Sequence, residues 1–194
     1  MKNSIAILIV LCCTLFTQQA FAQNVTKEEV EFKKGDIEFA LGVGLIPTFR
    51  SKAAKTKVLP LNFNMNYRVS QNFSLGTYLG YSSTNWQPEP VADEVPEDYL
   101  NTEYFVTGLR AEGHFNRERV DFYGGGMFGY TISKIDTNVD IENESVDGIM
   151  VEEGGKFTYS GYVGLKYMMT KHFGIYGEIG YGVSLISFGI TSKF

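Results

Sequence analysis

The chain has 194 residues, with 21 glycines, 15 phenylalanines, 12 tyrosines and a formal net charge of −5 at pH 7. Its length fits one domain. The mildly acidic balance argues against nucleic acid as a partner, because phosphate binding needs clustered lysine and arginine, and the sequence has no such cluster.

The amino terminus predicts secretion. After a positive start at Lys2, an apolar run leads to Ala20-Phe21-Ala22, a small-x-small cleavage motif. The run is shorter than the roughly 20 residues that a membrane-spanning helix needs. We therefore expect residues 1–22 to be a signal peptide removed before Gln23, and residues 23–35 to form an amino-terminal periplasmic segment.

Both cysteines, Cys12 and Cys13, lie inside the predicted signal peptide. A mature chain without thiols excludes disulfides and cysteine-based catalysis or metal binding. Lipid attachment at Cys12 is the alternative. It is disfavoured because Leu11, rather than a small residue, precedes that cysteine.

Apolar and polar residues alternate with a period of two through almost all of the remaining chain, and helical periodicity is nowhere sustained. This pattern predicts an all-β protein. The predicted strands number eight, at residues 37–45, 59–69, 73–82, 104–115, 120–132, 157–167, 173–181 and 184–194.

The connections between these strands alternate in length. Tight polar turns are predicted at 70–72, 116–119 and 169–172, and long acidic loops at 86–101 and 136–155. Short turns at one end and long loops at the other are typical of antiparallel, up-and-down transmembrane β-barrels. Because the strand count is even, both chain ends fall on the turn side.

Two prolines interrupt strand-like runs. A strand proline removes a hydrogen bond of the ladder and is normally confined to edges or bulges. Pro47 and Pro60 flank the first loop, predicted at 49–57. We therefore expect them to mark the ends of the first two strands.

An eight-stranded barrel could also be a soluble carrier with an apolar interior. The composition of the two faces favours a membrane barrel. The less apolar face is mostly glycine, asparagine, serine and tyrosine, which suits a narrow, crowded lumen. The bulky residues then point outward, and their aromatic members gather near strand ends, as in the two aromatic girdles of membrane barrels.

The carboxyl terminus carries the most specific pattern, because Phe188, Ile190 and the terminal Phe194 share the outward face. This resembles the closing strand of bacterial outer-membrane β-barrel proteins. The whole mature chain resembles their small OmpA- and OmpX-type members. The resemblance implies residence in the outer membrane, contact with its lipid, and recognition of Phe194 by the barrel-assembly machinery.

Eight ionisable residues fall on the predicted inner face, namely Glu38, Arg68, Arg110, Glu112, His114, Asp121, Lys166 and Glu178. A barrel of this size is just wide enough for side chains to fill it. We expect these charges to pair and plug the lumen, since buried charge is tolerated when it is paired. The alternative is a gate, in which Arg110 and Glu112 rearrange to open a narrow pore.

The turn at 116–119 is predicted to pair Phe115 with Val120, which would place His114 opposite Asp121 and Glu112 opposite Tyr123. The Glu112-Gly-His114 sequence also raises the hypothesis of an enzyme. Nucleophilic catalysis needs a serine or threonine beside the base, and no serine shares this strand. We therefore expect no catalytic site and no cofactor.

The second long loop offers carboxylates for weak cation contacts, at Asp136, Asp140, Glu142 and Glu144. The glycine and bidentate glutamate of a calcium loop are absent, so no metal site is expected. The sequence favours a non-enzymatic outer-membrane protein that has a structural or surface-interaction role through its two acidic loops, with an unknown extracellular ligand. The alternative function is a narrow channel, or a carrier for a small or hydrophobic solute.

Overall fold

The computed structural model describes residues 30–48, 55–86, 100–137 and 154–194. They form a closed barrel in which each strand pairs antiparallel with its neighbours in sequence and β1 pairs with β8. The predicted eight-stranded, up-and-down fold is confirmed. The strands are β1 (Ile37–Gly44), β2 (Lys55–Ser70), β3 (Phe73–Trp86), β4 (Leu100–Arg117), β5 (Val120–Thr137), β6 (Gly154–Met168), β7 (Phe173–Gly180) and β8 (Ile186–Lys193).

The predicted signal peptide lies outside the described residues, as do residues 87–99 and 138–153 of the two long loops. Within the described ranges, no helix is long and apolar enough to cross a membrane.

Alternation along each strand sorts the side chains between the two faces of the wall. In β4, Leu109 is 67% exposed on the outside, whereas its neighbour Arg110 is 3% exposed in the lumen. Successive side chains of a strand point to opposite faces, so apolar and polar residues separate cleanly. The outer surface is consequently apolar and the interior polar, the reverse of a soluble protein.

The strands differ greatly in length. β1, β7 and β8 have 8 residues each, whereas β4 and β5 have 18 each. The ladder of β4 and β5 continues to the pair Leu100↔Thr137, so the edges of both long loops were wrongly predicted as loop. Alternation weakens there because a strand that rises beyond the lipid has no apolar solvent to select one face.

The turn between β4 and β5 is tighter than predicted. Arg117 pairs with Val120, leaving a two-residue turn in which Glu118 has a φ of 51°. The predicted register was therefore wrong by two residues. In the structure Asp121 lies opposite Asn116, His114 opposite Tyr123 and Glu112 opposite Gly125.

Pro60 lies inside β2, so the prediction that it ends a strand is wrong. The β2–β3 register shifts between Val58 and Leu61, and Pro60, which has no N–H to donate, occupies this bulge with its side chain fully buried. Pro47, in contrast, lies beyond the end of β1 and makes an isolated bridge with Ser184.

The short connection between β7 and β8 folds into the loop end of the barrel. Val183 is completely buried, and its N–H donates a hydrogen bond to the Tyr78 hydroxyl at 3.0 Å. Val183 packs in a cluster of buried residues with Tyr78, Val106 and Met127. We call these four residues the apolar cap.

The residues before β1 pack across the turn end of the barrel. Phe32 is 4% exposed and clusters with Val30 and Met168. The Arg68 guanidinium and the Lys193 ammonium lie 4.7 and 4.8 Å from the centre of its ring, a favourable arrangement for a cation over an aromatic face. The aromatic ring thus covers the floor of the lumen.

Candidate functional site in the lumen

Arg68 is the centre of a buried ion-pair group at the turn end. Its side chain is fully buried and donates from Nε to Glu38 at 2.6 Å and from Nη2 to Asp121 at 2.5 Å. Nη1 donates to the backbone oxygen of Gln71 at 3.0 Å and to the Asn116 side chain at 3.2 Å. All three nitrogens of the guanidinium therefore have hydrogen-bond acceptors, which a buried charge requires.

Arg110 organises a second group, nearer the middle of the barrel. Its Nη2 lies 2.6 Å from Glu178 and 3.0 Å from Glu112. Its Nη1 donates to Asn64 at 2.8 Å, and its plane stacks 3.7 Å from the Tyr162 ring centre. Side chains from four strands, β2, β4, β6 and β7, thus meet at one guanidinium.

Lys166 and His114 join the two groups. The Lys166 ammonium donates to Glu38 at 2.5 Å and lies 3.8 Å from Glu112. His114 lies 3.0 Å from Asp121 through Nδ1 and 3.6 Å from Glu112 through Nε2. The structure therefore brings all eight predicted inner residues into one connected network, which holds three permanent cations, four carboxylates and one histidine.

Sequence reasoning missed Ser74, because it lies on β3 rather than on the strand of His114. Its hydroxyl lies 2.8 Å from His114 Nε2, and His114 Nδ1 lies 3.0 Å from Asp121. This is the order of contacts found in a serine hydrolase triad. The signal that could have found it is the inward parity of Ser74, combined with the β3–β4 pair Ser74↔Glu112.

The surroundings of this triad are those of a structural hydrogen-bond network. Ser74 is 0% exposed, so no substrate reaches its hydroxyl, and the Glu112 carboxylate lies 3.4 Å away. A second carboxylate beside the nucleophile would repel a developing oxyanion, which needs donors instead. Asp121 is engaged by Arg68 as well as by His114.

Replacing Ser74 with alanine tests this interpretation. We expect Ser74→Ala to lower the free energy of unfolding by about 1 kcal/mol, because one buried hydrogen bond is lost. We also expect hydrolysis of a p-nitrophenyl ester to be the same with and without the substitution. Ester turnover that disappears in the variant would show that the triad is catalytic.

The predicted insertion signal lies on the outside of β8 and at the chain end. Phe188, Ile190 and Phe194 are 49%, 46% and 69% exposed. Phe194 exchanges two backbone hydrogen bonds with Ile37, each 2.9 Å, at the start of β1. The aromatic terminus is thus presented to the membrane beside the strand pair that closes the barrel.

Of the predicted loop cation contacts, only Asp136 belongs to the described residues. It lies in β5, paired with Asn101 of β4, whereas Asp140, Glu142 and Glu144 are outside the described ranges. Across residues 30–48, 55–86, 100–137 and 154–194, no group of three histidine, cysteine or acidic side chains could hold a metal ion.

A closed β-barrel with an apolar outer face, a buried polar lumen and aromatic residues on the outside is a transmembrane barrel. A family model described as "Outer membrane protein beta-barrel domain" matches residues 8–192. The chain belongs to this family, and it is an integral protein of the outer membrane, as the resemblance implied.

Two solved structures of outer-membrane proteins are similar to this chain. OprG of Pseudomonas aeruginosa is 12% identical, with 84% of this chain and 98% of that one covered and a TM-score of 0.58. Ail, the attachment invasion locus protein of Yersinia pestis, is 14% identical over 83% and 99% of the two chains, with a TM-score of 0.48. No curated protein matches the sequence. At 12% identity the likeness to OprG concerns the fold alone.

Proposed function

We propose that this protein is a non-enzymatic outer-membrane component that interacts with a basic extracellular partner through its two long acidic loops. Outer-membrane barrels present their long loops to the exterior and their short turns to the periplasm. The loops therefore meet the outside of the cell, whereas the ionisable side chains of the lumen are occupied with one another.

The observation that carries the proposal is a lumen occupied by packed side chains at the turn end, in the ion-pair network and at the apolar cap. At the turn end, Phe32 covers the network of Arg68 and its partners. At the loop end, Val183 and the rest of the apolar cap lie across the barrel. A filled lumen leaves the extracellular surface as the region available for binding.

The charge of the long loops supports a basic partner. Residues 87–99 contain five carboxylates and residues 138–153 contain six, and neither segment contains lysine or arginine. The tall strands β3 to β6 carry both segments. Opposite charge accelerates encounter with a partner, and the effect falls as salt rises.

Matched loop variants test the proposal on cells that display the protein. One variant replaces residues 88–98 with a short turn, another replaces residues 139–152, and a third changes Arg50 and Lys52 of the first loop to glutamine. With a fluorescent oligolysine peptide as the probe, we expect either acidic-loop deletion to weaken binding by about tenfold at low salt. The basic-loop variant should not weaken binding. Equal binding by all variants would contradict the proposal.

A narrow channel is the second candidate, favoured by the arrangement around Arg110. This guanidinium contacts carboxylates on two strands, Glu112 and Glu178, so an exchange between them would shift the charge across the lumen. Conductance of purified protein in planar bilayers separates the two candidates. We expect no conductance steps from the wild type, and regular steps would favour the channel.

A further inference from the structure

β6 extends further toward the loop end than the strand that follows it. Its ladder with β5 continues to Gly154, whereas its ladder with β7 ends at Tyr162. β7 stops there because the chain then turns into the lumen, where Val183 is completely buried. Within the part of the chain that the structure describes, residues 154–160 of β6 therefore have a paired strand on one side only.

One hydrogen bond shows which backbone groups point away from β5. The Tyr181 N–H donates to the Gly161 carbonyl at 3.3 Å, so the polar backbone groups of Gly161 face the β7 side. Alternate residues of a strand direct these groups to the same side. Gly155, Phe157 and Tyr159 therefore direct their N–H and C=O groups to the β7 side, where no described strand pairs with them. We call these three residues the free edge.

The free edge is accessible and lacks the features that usually block an exposed strand. Phe157 and Tyr159 are 67% and 82% exposed. Natural proteins protect such edges with proline, with charged side chains or with bulges, because unpaired N–H and C=O groups attract another strand. Residues 154–160 contain no proline, their ladder with β5 is regular, and Lys156 is their single charged residue.

β2 forms the opposite edge of the sheet that β2 to β6 make above the other strands, and it is protected. β1 pairs with β2 only as far as Leu61, so residues 55–60 extend beyond it toward the loop end. Lys55 and Lys57 lie in this stretch, and the register shifts around Pro60. The two edges of the sheet thus differ, and the one on β6 is open to another strand.

We propose that the free edge binds an extended segment of an extracellular protein, rich in lysine or arginine, which adds a strand to the sheet beside β6. An extended polypeptide supplies N–H and C=O groups at the spacing of a strand, and recognition by strand addition uses these groups. The basic character follows from charge, because residues 138–153, which lead directly into β6, contain six carboxylates and no lysine or arginine. The inference rests on the proposed function for the charge of the partner and adds the backbone contact that holds it.

The test compares two peptides on the full-length protein in lipid nanodiscs, by fluorescence anisotropy at low salt. The first peptide alternates lysine with threonine, a residue favoured in strands. The second has the same sequence and charge, but every backbone amide is N-methylated and cannot donate. We expect the first to bind about tenfold more tightly, because the second loses several hydrogen bonds. Equal binding would overturn the role of the free edge and leave the proposed function standing, whereas binding of neither peptide would overturn both.

A matched pair of variants locates the contact. Phe157→Pro removes one N–H from the free edge and no hydrogen bond to β5, and proline is tolerated at strand edges. Phe157→Val keeps the N–H and removes only the aromatic ring. We expect Phe157→Pro to weaken binding of the first peptide about fivefold, the effect of one hydrogen bond, and Phe157→Val to leave it unchanged. Equal affinities of the two variants would overturn the proposed position.

The loop that leads into β6 provides a further control. Replacing residues 139–152 with a short turn removes most of its carboxylates. We expect weaker binding of both peptides with the same ratio between them, because the free edge stays intact. Tighter binding of the first peptide would show that this loop itself occupies the free edge in the wild type, and would overturn the proposal. Each variant is first checked for the heat-dependent gel mobility of a folded barrel.

Discussion

Replacing Arg68 with alanine is expected to destabilise the barrel by about 3–5 kcal/mol, the loss seen when one partner of a buried ion pair is removed. The substitution removes the closest cation of buried Asp121 and one of the two cations that contact buried Glu38. It also removes the hydrogen bonds to Gln71 and Asn116 that link β2 and β4 at the turn end. Lys166, which already donates to Glu38, cannot replace the planar guanidinium between both carboxylates.

Urea-dependent folding into lipid vesicles, followed by the gel mobility of unboiled samples, measures this loss. Lys33→Ala is the control, because Lys33 and Glu31 form an ion pair at 2.9 Å with side chains 60% and 68% exposed. The Glu31 carboxylate raises the pKa of Lys33 through a hydrogen bond. Exposed pairs of this kind contribute little to stability, because water and salt screen the two charges. Similar midpoints for Arg68→Ala and wild type would show that the network does not hold the lumen together.

Adding a single methyl group at Gly125 is expected to be nearly as damaging. A Cβ at this inward position would overlap the backbone carbonyl of Ala111 on β4. A backbone atom cannot move aside without breaking the β4–β5 ladder, so we expect Gly125→Ala to cost about 3 kcal/mol, the upper part of the range for overpacking.

Gly126 supplies the matched control for this prediction. It is the next residue on β5, but it faces outward, and a Cβ there would lie 3.6 Å from the Ser160 carbonyl oxygen, an ordinary contact. Gly126→Ala should fold as well as the wild type, or slightly better, because alanine restricts the unfolded chain. The same vesicle assay compares the two variants. Equal stability would mean that the wall tolerates added bulk in the lumen.

The architecture could be predicted because lipid outside the barrel selects apolar residues and the lumen selects polar ones, at alternating positions of each strand. Alternation in β4, such as Leu109 outside and Arg110 inside, needs no knowledge of neighbouring strands. The set of lumen residues follows from parity alone. The same reasoning gave Phe194 its outward position, although recognition of Phe194 by the assembly machinery is still a prediction.

The contacts inside the lumen depend on the register between neighbouring strands. Whether a residue has an odd or even position in its strand predicts its face but not its partner. Asn116 looks like a turn residue, but it is paired with Asp121, and this single difference moved every predicted partner of β5 by two positions. Ser74 was missed for the same reason, because its approach to His114 is a contact between strands. A slip of two residues preserves each face, so the lumen set survived the error and the pairings did not.

Irregular backbone was the other source of error. The bulge at Pro60 allows β2 to pass through a residue that cannot donate, so a proline that usually ends a strand did not end this one. The inward fold of Val183 rests on contacts with Tyr78, far away in sequence. Neither the bulge at Pro60 nor the burial of Val183 leaves a local sequence pattern from which it could be predicted.

The unequal strand lengths have a mechanical consequence. β1 and β8, which close the cylinder, share seven register pairs, whereas β4 and β5 share eighteen. The pairs β1–β2, β6–β7 and β7–β8 also share seven register pairs each, so the wall has a short side centred on β8. If the barrel is pulled at Ile37 and Phe194, which exchange backbone hydrogen bonds at the closure, the load falls directly on the β1–β8 pair. We expect the closure between β1 and β8 to part before any other strand pair does.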